Sequence, residues 1–232
     1  AELNILDGVT TTAAEINLID GGTARGTTAV ADGDGFLTND GGTMRMTKVD
    51  TLATYMGTKI GGGLEFIASL DASSSATLSF TGFDPSKYDS YLFTFHAIEP
   101  ANDDVDLRFY TSSDTSSHSY DSGSTDYVDA MIRNGAAVGG IAQRAYGALV
   151  TDVGTGSGEL GFYGSCEILA AHLAKRTFII SNGWSYNSGG NLYHYERVVY
   201  RDEAAQVNAI RFFMESGNIA SGTITMYGMV NS

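Results

Sequence analysis

Two clusters of carboxylates are the first places where side-chain types and spacing could support chemistry, in this case calcium binding. Residues 32–37 read Asp-Gly-Asp-Gly-Phe-Leu and residues 102–106 read Asn-Asp-Asp-Val-Asp, and calcium prefers such oxygen-rich segments. Neither cluster is closed by a glutamate at the distance that a calcium-binding loop requires, so solvated turns are the favoured interpretation. The 4 histidines are not spaced as ligands on one helix or strand face. We therefore expect no metal site and no cofactor.

Nucleophilic catalysis has little support in the sequence. Residues 118–126 contain the histidine, serine and aspartate types of a catalytic triad, but a triad also needs a strained nucleophile turn and an oxyanion hole. The Gly-Thr-Gly-Ser-Gly stretch at 154–158 has instead the composition of a hairpin loop. Cys166 is the single cysteine, so no intrachain disulfide can form. It lies in a strand-like segment, which predicts that its side chain is buried as a small hydrophobic group. We expect no enzymatic activity.

Sugar binding is the remaining chemistry, because exposed aromatic rings stack on the apolar faces of sugars. Residues 184–191 read Trp-Ser-Tyr-Asn-Ser-Gly-Gly-Asn between two strand-like runs. For Trp184 a position in the core is favoured over a glycan platform, and for the loop 186–191 both interpretations stay open. His194 is predicted to be a hydrogen-bonded structural residue with its neighbouring tyrosines on the opposite strand face. The candidate receptor-contact residues are His118, Tyr120, Asp121, Asp126, Tyr186, Asn187 and Asn191.

The elements that must position these residues are short strands in residues 64–232. Strand-like runs alternate there with clusters of glycine, serine and aspartate. The predicted strands are residues 64–70, 76–81, 88–98, 105–111, 127–133, 143–150, 158–169, 176–185, 192–200, 207–214 and 222–230. A short helical turn is expected near 84–88. This pattern predicts an all-β fold, namely an antiparallel β-sandwich of jelly-roll type.

Residues 1–63 have a different composition and are predicted to form a separate stalk. They contain only two aromatic residues, Phe36 and Tyr55, and end in the triple glycine 61–63. Glu-Leu-Asn-Ile-Leu-Asp-Gly at 2–8 recurs as Glu-Ile-Asn-Leu-Ile-Asp-Gly at 15–21. Units this short cannot bury their own apolar side chains, so they need stacked neighbours or identical chains around an axis.

One short helix is predicted at about 47–57, with Thr47 as its cap. Its apolar residues form one stripe on about three turns, which is too short to be stable alone. Three such stripes around an axis would be stable, which predicts a homotrimer. The trimer stripe consists of Val49, Leu52, Met56 and Ile60, with Ala53 beside them.

The charge of the chain excludes one class of partner. Its formal net charge is −14, and phosphate would repel so acidic a protein, so nucleic-acid binding is not expected. No apolar run is long enough to span a membrane, so membrane insertion is not expected either.

Three segments carry a resemblance to a known family. The repeat at 2–21 resembles the linker repeats of tail fibres and related virion fibres of tailed bacteriophages. Leu-Thr-Asn-Asp-Gly-Gly-Thr-Met at 37–44, which leads into the short helix, looks like such fibres as well. Residues 209–228 are similar to the last two strands of phage appendage β-domains. The resemblance implies a homotrimeric, non-enzymatic virion component whose N-terminal region attaches to other virion proteins and whose β-domain lies at the free end.

Three functions follow as hypotheses. In the first, the chain is a phage tail fibre whose β-sandwich head recognises the host surface. The expected ligand is a glycan, and the alternative ligand is a host surface protein. In the second, it is a capsid-decorating, head or neck fibre protein with a purely structural role. The third is a depolymerase, whose usual scaffold is a long β-helix, and residues 64–232 leave no room for one.

Overall fold

The computed structural model describes residues 27–59, 63–137 and 141–230, together with residues 10 and 12. Its contacts divide the chain into two compact units, Ala1–Lys59 and Ile60–Ser232. Both copies of the predicted repeat, Ile60 of the predicted trimer stripe and two of the three linker glycines lie outside the described residues.

The first unit contains a β-hairpin and a helix. Strands β1 (Gly35–Asp40) and β2 (Thr43–Lys48) pair antiparallel, and helix α1 spans Val49–Lys59. The hairpin turn is Gly41-Gly42, with φ of 59° and 97°, a left-handed geometry that glycine adopts without strain. The sequence analysis favoured solvated turns for residues 32–37 and predicted no strand there, because β1 lacks the alternation of apolar and polar residues that predicts a strand.

The predicted cap of the helix is wrong. Thr47 lies in β2, where its hydroxyl is hydrogen-bonded to that of Thr38 at 2.6 Å. The first amides of α1 are satisfied from a preceding turn instead, since the amide of Val49 donates to the carbonyl oxygen of Asp34 at 2.8 Å. The helix therefore begins directly after the strand, about two residues later than predicted.

None of the described residues of the first unit is buried. Of the predicted trimer stripe, Val49 and Leu52 are half-buried and Met56 is exposed. The large apolar side chains that are exposed in this unit are Val30, Phe36, Leu37, Met44, Met46, Tyr55 and Met56. The described residues of this unit therefore form no core that could offset the conformational entropy of folding.

The second unit is built from two antiparallel sheets. Its strands are β3 (Leu64–Asp71), β4 (Leu78–Phe80), β5 (Tyr88–Pro100), β6 (Val105–Ser112), β7 (Tyr127–Arg133), β8 (Ala136–Ala137), β9 (Ala142–Arg144), β10 (Gly147–Val153), β11 (Phe162–Leu169), β12 (Phe178–Tyr186), β13 (Leu192–Arg201), β14 (Ala209–Met214) and β15 (Ile219–Val230). One sheet has the order β10-β6-β14-β4, and the other has the order β3-β15-β5-β11-β12-β13-β7-β8, with β9 paired to β7. The prediction of an all-β fold with antiparallel sheets is confirmed.

One aromatic cluster joins the inner faces of the two sheets. Phe212 of β14 is fully buried, and its ring lies 5.4 Å from that of Phe93 and 5.2 Å from that of Phe95 on β5. On its own sheet it contacts Phe80 and Phe109. From β4 onward the chain passes back and forth between the sheets, so core residues close in space are far apart in sequence.

Each of the predicted strands of this unit overlaps an observed one. The run at 143–150 is interrupted and contributes to both β9 and β10. Residues 154–158 connect β10 to β11 in the other sheet, so their prediction as a hairpin loop is wrong. Residues 84–88 form a hydrogen-bonded turn in which the amides of Lys87 and Tyr88 donate to the carbonyl oxygen of Asp84.

Cys166 provides a simple test of this core. It lies on β11 with none of its surface exposed, as predicted, and burial raises the pKa of its thiol. Because thiolate is the reactive form, we expect Ellman's reagent to leave the native chain unmodified and to modify one thiol per chain in denaturant. Rapid modification without denaturant would contradict the packing of β11.

Candidate functional site

Four of the predicted contact residues lie in the connection between β6 and β7, where the described contacts are structural. Asp121 accepts a hydrogen bond from Nε of Arg201 at 2.7 Å. The ring of Tyr120 lies 3.9 Å from the guanidinium of Arg211, and His118 is half-buried beside Tyr120. Asp126 accepts a hydrogen bond from the amide of Gly123 within its own turn.

The other three contact residues lie at the tip of the β12–β13 hairpin. Oδ1 of Asn187 accepts hydrogen bonds from the amides of Gly189 at 3.1 Å and Asn191 at 2.9 Å. Its Nδ2 donates to the hydroxyl of Tyr193 at 3.4 Å. Asn187 therefore organises the turn, while Tyr186 is half-buried and Asn191 is exposed.

The structure does not bring the two groups of predicted residues together. Asn191 immediately precedes β13, and Arg201, the partner of Asp121, ends it. At about 3.4 Å per residue, β13 is on the order of 30 Å long. The candidate loops are consequently at opposite ends of one strand and cannot form one site within a single chain.

Trp184 is the main correction to the sequence analysis. The favoured prediction placed it in the core, but its side chain is 50% exposed on the outer face of β12. The inward positions of this strand nearest to Trp184 are small, namely Ser181, Gly183 and Ser185. The ring of Phe162 fills the interior against Gly183 and would overlap a Cβ there. The core thus has no room for an indole at this point.

Four aromatic residues form a row across adjacent strands of the larger sheet. The rings of His96 on β5 and Tyr163 on β11 lie 4.9 Å apart. Tyr163 is the register partner of Trp184 on β12, whose ring lies 5.3 Å from that of His194 on β13. With strands about 4.8 Å apart, this aromatic row is about 15 Å long. We name these residues, His96, Tyr163, Trp184 and His194, the aromatic row.

For His194, the predicted orientation of the neighbouring tyrosines is confirmed, and the ring makes a contact with Trp184 that was not predicted. Tyr195 is buried on the inner face of β13 and Tyr193 points the same way, so the tyrosines lie opposite His194 as predicted. The backbone amide of His194 donates to Oδ1 of Asn134 at 2.8 Å. Its ring packs against Trp184 on the outer face, which fixes both ring positions on paired strands.

A polar row runs parallel to the aromatic row, one pleat away on the same face. Ser165 on β11 pairs with Thr94 on β5 and with Asn182 on β12, and Asn182 pairs with Glu196 on β13. The hydroxyl of Ser165 lies 3.4 Å from Oδ1 of Asn182. Asn182 and Glu196 are exposed, so the row presents an amide and a carboxylate within reach of a ligand lying on the rings.

A groove of about 500 Å³ opens beside the end of both rows. Its polar border consists of Asn182, His194 and Glu196, and its apolar part includes Ile132, Ile141, Ile180 and Val198. Grooves of this size with few polar groups are typical of binding sites. The sequence analysis did not predict this face. The alternation of apolar and polar residues in β5, β12 and β13 nevertheless points His96, Trp184 and His194 outward.

Three further findings concern metal ligands, membrane spans and similarity to known proteins. Within the described parts of the chain, no group of three or more His, Cys, Asp or Glu side chains could hold a metal ion. No helix among the described residues is long and apolar enough to cross a membrane. No family model, curated protein or solved structure matches the chain.

Proposed function

We propose that this chain is a structural component of a phage virion, a homotrimeric tail fibre whose head recognises a glycan on the host surface. In this proposal residues 1–63 are the repeat-containing stalk, which contacts other virion proteins, and residues 64–232 are a jelly-roll-like head. The repeats at 2–21 and the resemblance to virion fibres support the stalk. The alternation of successive strands between two sheets supports the jelly-roll interpretation.

The aromatic row beside the polar row is the single observation that carries the recognition function. Trp184 exposes half of its surface although buried positions are energetically preferred for so large a ring. Saccharides present apolar ring faces for stacking and hydroxyl groups for hydrogen bonding. The two rows offer both stacking and hydrogen bonding on a rigid sheet, so little conformational entropy of the protein is lost when a ligand binds. Three such shallow sites in a trimer would gain affinity from avidity.

Replacing Trp184 with alanine is expected to weaken glycan binding at least about tenfold, equivalent to about 1.4 kcal/mol, because the largest stacking surface is lost. Trp184 is the chain's single tryptophan, so its fluorescence reports directly on binding in the wild-type chain. The measurement is binding of full-length wild type and variant to an array of bacterial surface polysaccharides, followed by fluorescence titration of each positive glycan.

Phe66→Ala is the matched control, because Phe66 is an exposed aromatic residue on β3 of the same sheet, outside the aromatic row. It should bind glycans like the wild type. Equal binding by Trp184→Ala, or no glycan binding by the wild type, would reject recognition through the aromatic row. Antibody labelling of intact particles then tests the alternative, since label on the capsid or collar would indicate a decorating or neck fibre.

A further inference from the structure

The outer face of the larger sheet carries apolar side chains at its β12, β13 and β7 side. Phe178 and Ile180 of β12 are 50% and 41% exposed, and Val198 of β13 is 42% exposed. Val198 pairs with Ile180 on one side and with Ala130 of β7 on the other, so these side chains are direct neighbours. We name Ile132, Ile141, Phe178, Ile180, Val198 and Tyr200 the apolar patch.

The inner face of the same three strands carries polar as well as apolar side chains. Ser181, Asp129, Arg197 and Arg201 are buried there beside Ile179, Tyr195 and Val199. Burial lowers the pKa of the Arg197 guanidinium, while the neighbouring Asp129 opposes this effect. An antiparallel sheet with one solvated face normally places polar residues outward and apolar residues inward. The apolar side chains on the outer face of these strands depart from that pattern, which favours a covered surface at those positions.

The size of the apolar patch is appropriate for a protein interface. Its side chains expose on the order of 500 Å² of apolar surface, near the upper limit for the largest patch on a monomeric protein. A stable interface buries about 800 Å² on each partner, and the patch would supply more than half of that area. The groove of about 500 Å³ at its centre can receive inserted side chains, as the central pockets of protein interfaces do.

We propose that the apolar patch is a contact surface for a second copy of this chain. The chain carries a net charge of −14, so copies repel each other wherever charged surfaces meet. The patch itself contains no charged side chain, and Glu167 and Glu196 pair with Ile180 and Ile132 at its edge, so two copies meet less repulsion there than at fully charged surfaces. The described part of the first unit also exposes seven large apolar side chains. One kind of partner, further copies of the chain, would cover both surfaces.

This proposal rests on the homotrimer of the proposed function and adds the head to its interface. In a cyclic trimer, the patch of one copy meets a different surface of the next copy, because such contacts are heterologous. Ile180 and Val198 lie two pleats from the aromatic row and Phe178 lies three, with Asn182 and Glu196 of the polar row between them. A copy seated on Phe178, Ile180 and Val198 therefore leaves Trp184 accessible.

The test is hydroxyl-radical footprinting of the full-length chain, with its mass measured by light scattering in the same sample. Leu160 and Leu173 are 58% and 42% exposed in loops and serve as references. If the patch is an interface, its residues should react at least about fivefold less than these references, because interface cores exclude water. Val198→Glu should restore their reactivity, since it places a charge in the contact.

Each outcome separates the two proposals. A trimer whose patch reacts like Leu160 and Leu173 would overturn the head contact and leave the stalk trimer standing. A monomer with a reactive patch would overturn the homotrimer and the head contact together. The wild-type comparison does not depend on a variant, so it decides the question even if Val198→Glu fails to fold.

Discussion

Replacing Phe212 with alanine is expected to lower the free energy of unfolding of the head by about 3–5 kcal/mol, the range for deleting a buried phenylalanine ring. The ring is fully buried and contacts Phe93 and Phe95 of the opposite sheet. Its removal leaves a cavity between the two sheets that their backbones cannot close. In a unit of this size the melting temperature should fall by about 10 °C or more.

Chemical denaturation of the full-length chain at fixed concentration, followed by circular dichroism, measures this change. Phe66→Ala is the control, because it deletes the same side chain where it is 61% exposed. It should cost less than about 1 kcal/mol, as surface substitutions usually do. Similar losses for the two variants would mean that the rings around Phe212 do not form a close-packed core.

Replacing Asp121 with alanine is expected to destabilise the head by about 2–4 kcal/mol, because a buried cation loses a partner. Arg201 has no exposed surface and is paired with Asp121 and Glu203. Its guanidinium also donates to the carbonyl oxygen of Ala205 at 3.4 Å. Without Asp121 it would keep its charge in the interior with fewer acceptors. Asp121 thus has a structural role in the head, and its receptor contact stays a prediction.

A double-mutant cycle tests whether Asp121 stabilises the head through its ion pair with Arg201. Asp121→Ala combined with Arg201→Met should be less destabilised than Asp121→Ala alone, because methionine leaves no unpaired charge. Asp202→Ala is the control: its partner Arg176 is 64% exposed, so the expected cost is below about 1 kcal/mol. Additive effects of Asp121→Ala and Arg201→Met would show that the two residues are not coupled.

The strands of the second unit were predictable because their signals are local. Alternation of apolar and polar residues in β5 and turn residues between the strands depend only on neighbours in the chain. The β1–β2 hairpin was missed because Phe36 and Leu37 stand side by side and both are exposed, so no alternation marks β1. Its Gly41-Gly42 turn was the one signal available.

The binding face could not be predicted, because it depends on which strands are neighbours. His96 and Tyr163 are far apart in the chain, and only the pairing of β5 with β11 brings them together. Likewise, the direction of Trp184 follows from Phe162, which fills the interior behind Gly183. Hydrophobicity alone predicted a buried indole, and close packing in the core overrode that preference.

The amino-acid sequence by itself determined the all-β class, the break in composition near residue 63, the buried position of Cys166 and the scarcity of aromatic side chains in residues 1–63. Each of these follows from composition or from a period of a few residues. Only the tertiary structure decided that Asp121 pairs with Arg201, that Trp184 faces outward, and that β7, β12 and β13 also expose apolar side chains on the outer face. Those outcomes depend on strand order and on competition for volume between residues distant in the chain, and no local pattern encodes them.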